Sequence, residues 1–364
     1  MKAGRRAHDL PGVIARDLPR YLGALSRSGV GHRSDPDGWI SLCNRIERVI
    51  PDTGGPGVTC DWQWGSELHA PKVLPSLGRR LLGAALAEWP VHFADQPVVA
   101  SDSPKISFVF AHGGEDRLPQ LQRTIRSIYA QSEVPCECIV VDQSPIPLIA
   151  KLPSPIVYRH LAKDGVPPGW HKAWAYNLGA RVAKGSIIVF HDGDVCVPTA
   201  YASELVGAVE YRGFAAASLQ RLLFYLGESE TIAVESADSI PLDLTPTLSY
   251  QNWKGGTIAV ARDAFMALGG FDEGFVDWGG EDDEFYDRCG SLRHCRSGYL
   301  PFVHLWHPPQ ADRKSSVNPN IADVLPWRLS LPAAERVREL GRRRWGDASA
   351  PDPRAAYKRQ RTAG

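Results

Sequence analysis

Apolar and polar positions alternate differently before and after residue 104. From Lys105 onward, short β-branched runs take turns with stretches of helical period. ISFVFAHGG reads as a strand, and residues 118–131 as a helix with Leu118, Leu121, Ile125 and Ile128 on one stripe. ECIVVDQS and IVYRHLAKD read as further strands and residues 170–183 as a second helix. The run Ile187, Ile188, Val189, Phe190 then reads as a strand buried on both faces. Such alternation predicts an α/β fold: a Rossmann-like, mostly parallel central sheet flanked by helices. Ligands in such sheets collect beyond the carboxyl ends of the strands. The polar residues after each strand (112–117, Asp142 with Gln143, Lys163 with Asp164, and 191–194) are therefore expected along one rim.

Farther on, the pattern predicts a helix over 199–211, a strand region over 214–226 and a turn at Trp253, Lys254, Gly255 and Gly256 entering another strand. The two glycines there mark a close backbone approach. A final strand, YLPFVHLWHPP, carries two histidines. Before residue 104 the reading is poorer. Residues 10–26 and 76–88 have helical patterning around a Gly/Pro/Trp-rich piece whose Trp62 and Trp64 either stack on a sugar or plug a small core. The expected organisation is an N-terminal helical or irregular extension over 1–103, the α/β domain over 104–310, and a C-terminal helix with a basic tail over 311–364. The tail arginines, Arg336 and Arg343 among them, read as a solvated helix more readily than as a site for an anionic partner.

Composition narrows the classes. An apolar fraction of 43% suffices for a full α/β core, and 41 basic residues against 41 acidic ones leave no field that would draw nucleic acid or an anionic membrane. Seven cysteines without a CxxC pair suit reduced, buried thiols better than disulfides or a zinc ribbon. No apolar run approaches the ~20 residues of a membrane span. The expectation is a soluble cytoplasmic protein, with peripheral contact at a membrane left open and the oligomeric state undetermined.

Three clusters carry candidate chemistry. HDGD closes the buried strand: residues two apart on an extended chain point the same way, so Asp192 and Asp194 can converge on one cation, and Gly193 lets a ligand approach the backbone. Carboxylate oxygens suit Mg²⁺ or Mn²⁺, which usually arrive with a phosphorylated ligand. The plainer alternative is an acidic helix cap. WGGEDDEF places four carboxylates in the first turn of a helix, where the dipole favours them. With Phe285, Cys289 and Leu292 as its buried stripe, Glu281 and Asp282 lean inward, suited to a polyhydroxyl ligand and to accepting a proton from one hydroxyl. His304 and His307, three apart at the end of the last strand, can both face one Mn²⁺ if the chain turns there.

Taken together, HDGD after a buried strand, GGFDEGF-x-DWGGEDDEF and the following histidine pair resemble the GT-A-fold nucleotide-sugar glycosyltransferases. The likeness is to the large family-2-like set and to the galactosyltransferase C-terminal module, over residues 104–309. That resemblance implies that Asp194 binds the divalent metal with His304 and His307, while Asp192 contacts ribose or a metal-bound water. It further implies donor contacts from His112, Asp142, Lys172, Asn177, Gly193, Gly255 and Gly256. Trp278 with Gly279 and Gly280 would face sugar rings, Glu281 would hold sugar hydroxyls, and Asp282 matches the base of the inverting enzymes. Gln143 stands where a second acid is usual. The expected activity is metal-dependent transfer of a sugar from a nucleoside-diphosphate donor, a UDP-sugar first, to a hydroxyl acceptor such as a glycan, with no nucleic-acid partner. The alternatives are a non-catalytic carbohydrate-binding protein on the same fold and a nucleotidyltransferase, although no Gly-rich, Lys-ended phosphate loop follows the first strand.

Overall fold

The computed structural model describes residues 9–27, 37–62, 65–161, 166, 169–252, 255–308, 318–351 and 357. Trp64, Lys163, Asp164, Trp253 and Lys254, and the tail residues Arg354, Lys358, Arg359 and Arg361, lie outside these.

Among the described residues, a seven-stranded sheet runs in the order His294–Cys295, Ala216–Ala217, Thr257–Ala261, Ile187–His191, Ile106–His112, Cys136–Asp142, Val157–His160. Its middle is parallel: Ile106–His112 pairs in parallel with both Cys136–Asp142 and Ile187–His191, and Cys136–Asp142 with Val157–His160. Thr257–Ala261 is antiparallel to Ile187–His191. These strands are short and β-branched because both faces are covered, so nearly every side chain from Ile187 to His191 is buried apolar surface. On one face Leu121, Ile125 and Ile128 of the helix Leu118–Tyr129 pack against Phe108, Phe110 and Val140; on the other, the helix Lys172–Val182 covers Val109, Ile139 and Val141. The α/β expectation and its parallel centre hold.

The histidine-bearing strand departs from the expected single sheet. Leu300–His304 belongs to a second, five-stranded sheet, ordered Ser66–Glu67, Leu248–Gln251, Gln220–Tyr225, Leu300–His304, Val195–Cys196. The chain leaves the first sheet at His191, turns through Asp192, Gly193 and Asp194, and enters the second at Val195. The acidic corner is thus the junction between sheets. His304 pairs opposite Val195, which brings it beside Asp194.

Residues before 104 share this core. Trp39, Leu81 and Trp89 are buried in one cluster with Phe108, Leu222 and Phe302. The buried Arg221 donates from Nε to the Ile40 carbonyl at 2.7 Å and from Nη2 to the Leu42 carbonyl at 2.8 Å. Trp62 is half-buried, with its carbonyl taken by Asn252.

The solvated reading of the arginine-rich segment is corrected for several of its members. Arg336 is buried, with Nη1 2.7 Å from Glu284 Oε1 and Nη2 on Asp287. Arg343 and the buried Arg328 reach Asp272 at 3.1 and 2.9 Å. These acidic partners lie roughly 50 to 70 positions earlier, so no local charge pattern could reveal the pairing. Arg338, Arg342 and Arg344 do face solvent.

Candidate active site

Asp194 is buried, with Oδ1 3.5 Å from His304 Nε2 and Oδ2 3.2 Å from His307 Nε2. One ligand atom from each of the three lies within 4.8 Å of the others. The tautomer of His307 follows from its other nitrogen: Nδ1 donates to the Pro308 carbonyl at 2.9 Å, because a carbonyl can only accept. In the neutral ring Nε2 then turns a lone pair toward a carboxylate, an arrangement that is repulsive unless a proton or a cation lies between them. His304 is stacked on Tyr225, ring centroids 4.2 Å apart, which fixes its plane. Burial pushes the Asp194 carboxyl up, but His304, His307 and Arg117 outweigh that and hold it well below the usual carboxylate range. The same burial drives His304 down, toward the neutral, ligating form. One carboxylate and two imidazoles in this setting suit a divalent cation.

Asp192 does not join this cluster. The strand ends at His191 and the chain turns, so the same-side rule for extended residues lapses after it. Its Oδ1 instead lies 3.1 Å from Lys172 Nζ and accepts from the Tyr176 hydroxyl at 3.2 Å. Lys172 is the first residue of its helix and reaches three carboxylates: Asp192, Glu281 Oε1 at 3.3 Å and Asp282 Oδ2 at 3.1 Å. Burial alone would lower the Lys172 pKa, yet Asp192 and Asp282 lift it well above the ordinary value, so the ammonium is permanent. Gln143 brackets the start of this helix: its Oε1 accepts from His171 N at 3.2 Å and its Nε2 donates to His171 O at 3.4 Å.

The opposing carboxylates come from the helix Glu281–Cys289, entered through two left-handed glycines, Gly279 (φ 97°) and Gly280 (φ 92°). A Cβ on Gly280 would stand 2.7 Å from the Phe275 ring, so the sharp entry that aims the helix start at Lys172 needs glycine. Glu281 is buried, with Oε2 lacking a partner among the described residues. Asp282 is one-third exposed. Burial and the neighbouring Glu281 and Asp192 raise its carboxyl to about 7, against the lowering influence of Lys172. Asp282 lines a small cavity with Asp192, Tyr176, Gly256 and Thr257. Gly256 (φ 93°) takes the Asp192 amide on its carbonyl at 2.8 Å.

Glycosyl transferase family 2 matches residues 115–268, and a family described as the N-terminal domain of galactosyltransferase matches residues 242–297. The two matches overlap and together span both acidic motifs. The chain carries a glycosyltransferase-type domain over these residues. Among solved structures, it is similar to the catalytic domain of Drosophila β1,4-galactosyltransferase 7 in complex with xylobiose. The identity is 17%, the match covers 66% of this chain and 83% of that one, and the TM-score is 0.34. A search of curated proteins finds no match.

Other expected contacts of the glycosyltransferase domain are placed differently. Trp278 is 46% exposed, its carbonyl held by Asn318 at 2.8 Å. His112 ends its strand opposite Asp142, and burial keeps its ring neutral although Asp142 opposes the shift. The Asp142 carboxylate is wholly buried and occupied by Ser144 N (2.8 Å), Leu148 N (3.2 Å) and the Tyr158 hydroxyl. Asn177 is also buried: its Nδ2 donates to Phe271 O and Glu273 Oε1, and its Oδ1 accepts from Phe271 N. In this conformation both brace loops and present no free group to a donor. Gly193 packs on Leu121, which a Cβ would approach at 3.2 Å, and Gly255 adjoins Gly256 at the cavity. Two residues escaped notice in the sequence as individuals. Tyr176 lies four positions after Lys172, on the same helical face, and that spacing could have flagged it. Arg117 is visible only as one more charge in a polar stretch.

Proposed function

We propose that the domain transfers a sugar from a nucleoside-diphosphate donor, a UDP-sugar first, to a hydroxyl of a glycan or similar acceptor, with inversion at the anomeric carbon. The observation that carries this reading is the Lys172 bridge. It joins the acidic strand end to the carboxylate helix, so that a donor-side acid and a candidate base of pKa about 7 face one cavity beside the Asp194, His304 and His307 cluster.

In this reading Asp282 removes the acceptor proton as the hydroxyl attacks, help worth ~10²–10⁴-fold. Glu281 holds hydroxyls of the sugar, and the exposed ring of Trp278 gives a sugar face something to stack on. The ammonium of Lys172 favours negative charge on the donor side and positions Asp282 through their contact. Asp194, His304 and His307 would hold Mn²⁺, or Mg²⁺ in its place, which when bound supplies Lewis-acid stabilisation of a leaving diphosphate. Asp192 would contact the donor ribose, with Gly255 and Gly256 against the transferred sugar.

The test is a screen of UDP- and GDP-sugars for Mn²⁺-dependent hydrolysis or transfer, scored alongside D282N and D194A. D282N should lose most turnover and still bind donor; D194A should lose metal-dependent donor binding. Equal donor affinity with and without Mn²⁺ in the parent protein would refute the metal assignment.

A further inference from the structure

Arg117 has no place in the reading above, yet its guanidinium touches the centre of the site. Nη1 lies 3.4 Å from Asp194 Oδ2, the oxygen that also faces His307. Among the described residues Nη2 is buried without a partner, an unusual state for so strong a donor. Arg117 sits at the N-terminal boundary of the twelve-residue helix Leu118–Tyr129, whose first turns are pinned to both halves of the site. Gln120 Nε2 donates to the Trp306 carbonyl, between the two histidines, at 2.8 Å, and Leu121 packs under Gly193. The backbone that carries Arg117 is therefore held beside Asp194, while its partly exposed side chain keeps the freedom to turn.

A fixed positive charge on the carboxylate that would ligate a divalent cation opposes that cation. The same charge, with Nη2 idle, attracts a diphosphate. We propose that Arg117 is a charge gate: it neutralises Asp194 in the metal-free protein and turns its fork to the diphosphate of the donor once a cation takes its place, so that cation and nucleotide bind cooperatively. This rests on the cation and diphosphate reading given above.

Isothermal titration of the EDTA-stripped full chain separates the two ideas. Mn²⁺ is titrated alone, and then UDP and, in parallel, GDP at saturating Mn²⁺, into the parent, R117Q and R117K. R117Q should bind Mn²⁺ roughly five- to tenfold more tightly, because the competing charge is gone. It should bind the nucleotide about tenfold or more weakly, because the charged donor is gone. R117K should keep the parent's Mn²⁺ affinity and lose nucleotide affinity with the fork. Unchanged Mn²⁺ affinity in R117Q, or unchanged nucleotide affinity in either variant, overturns the gate alone. Absence of Mn²⁺ binding in the parent and R117Q alike overturns the cation site and the gate together. If R117Q does not fold by circular dichroism, the R117K titrations decide: nucleotide binding equal to the parent's sinks the proposal.

Discussion

Replacing Lys172 by Met keeps the stem and deletes the charge, leaving Asp192, Glu281 and Asp282 facing one another. Each stands 3.1 to 3.3 Å from the lost ammonium. At an effective dielectric near 20, contacts this close are worth about 5 kcal/mol apiece before desolvation is subtracted. Stripping one partner from a buried pair costs about 3–5 kcal/mol net. With the lysine side chain only 15% exposed, about 4 kcal/mol is expected at pH 8. The loss should shrink in acid. Lys172 lowers the Asp282 pKa, which is already about 7, so its removal raises it further. A carboxyl whose folded pKa exceeds its unfolded one binds a proton in the fold first, and the variant therefore recovers as pH falls from 8 toward 5.5. Because the parent carboxyl titrates near 7 and the comparison starts at pH 8, the recovery over this window is at most about 1.4 kcal/mol, one pKa unit's worth. Urea unfolding of parent and K172M in EDTA at both pH values gives the comparison. Identical losses at the two, or a loss under about 1 kcal/mol at pH 8, would show that the three carboxylates do not share this ammonium.

The same carboxyl sets the expected pH–rate profile. A base of pKa about 7 is mostly protonated in mild acid, so kcat/KM should rise with pH and sit about tenfold below its plateau at pH 6; a flat profile from pH 6 to 8.5 removes Asp282 as the base. Arg336→Ala should cost about 3 kcal/mol in urea unfolding, since it takes one of two guanidinium partners from the buried Glu284, which keeps Arg288, and the contact with the exposed Asp287, whereas Arg338→Ala on the exposed face of the same helix should fall within about 0.5 kcal/mol of the parent. Gly280→Ala should lose about 1–3 kcal/mol from its left-handed backbone and its clash with Phe275, and should depress turnover by misaiming the helix start; a thermal melt matching the parent's would contradict the strained entry.

Local information determined much of this protein. The apolar, β-branched run from Ile187 to Phe190 read as a doubly buried strand, and its alternation with amphipathic helices argued for a parallel sheet with a polar rim, as the fold has it. WGGEDDEF announced a glycine-entered helix with carboxylates on its inward side, because helical period and the left-handed tolerance of glycine act within a few residues. Tertiary structure decided how the pieces meet. Asp192 and Asp194 part company because the chain crosses between two sheets at that corner, and the second sheet depends on the pairing of Val195 and Cys196 with a strand more than a hundred residues later. Lys172 could be named as a donor contact, but its service to three carboxylates from two distant motifs could not. Asp142 and Asn177 look like ligand-reading side chains until their neighbours are known, and Arg336 looks solvated until Glu284 arrives. Backbone preference and burial period are properties of short stretches, whereas the partner that satisfies a buried charge is chosen by the fold.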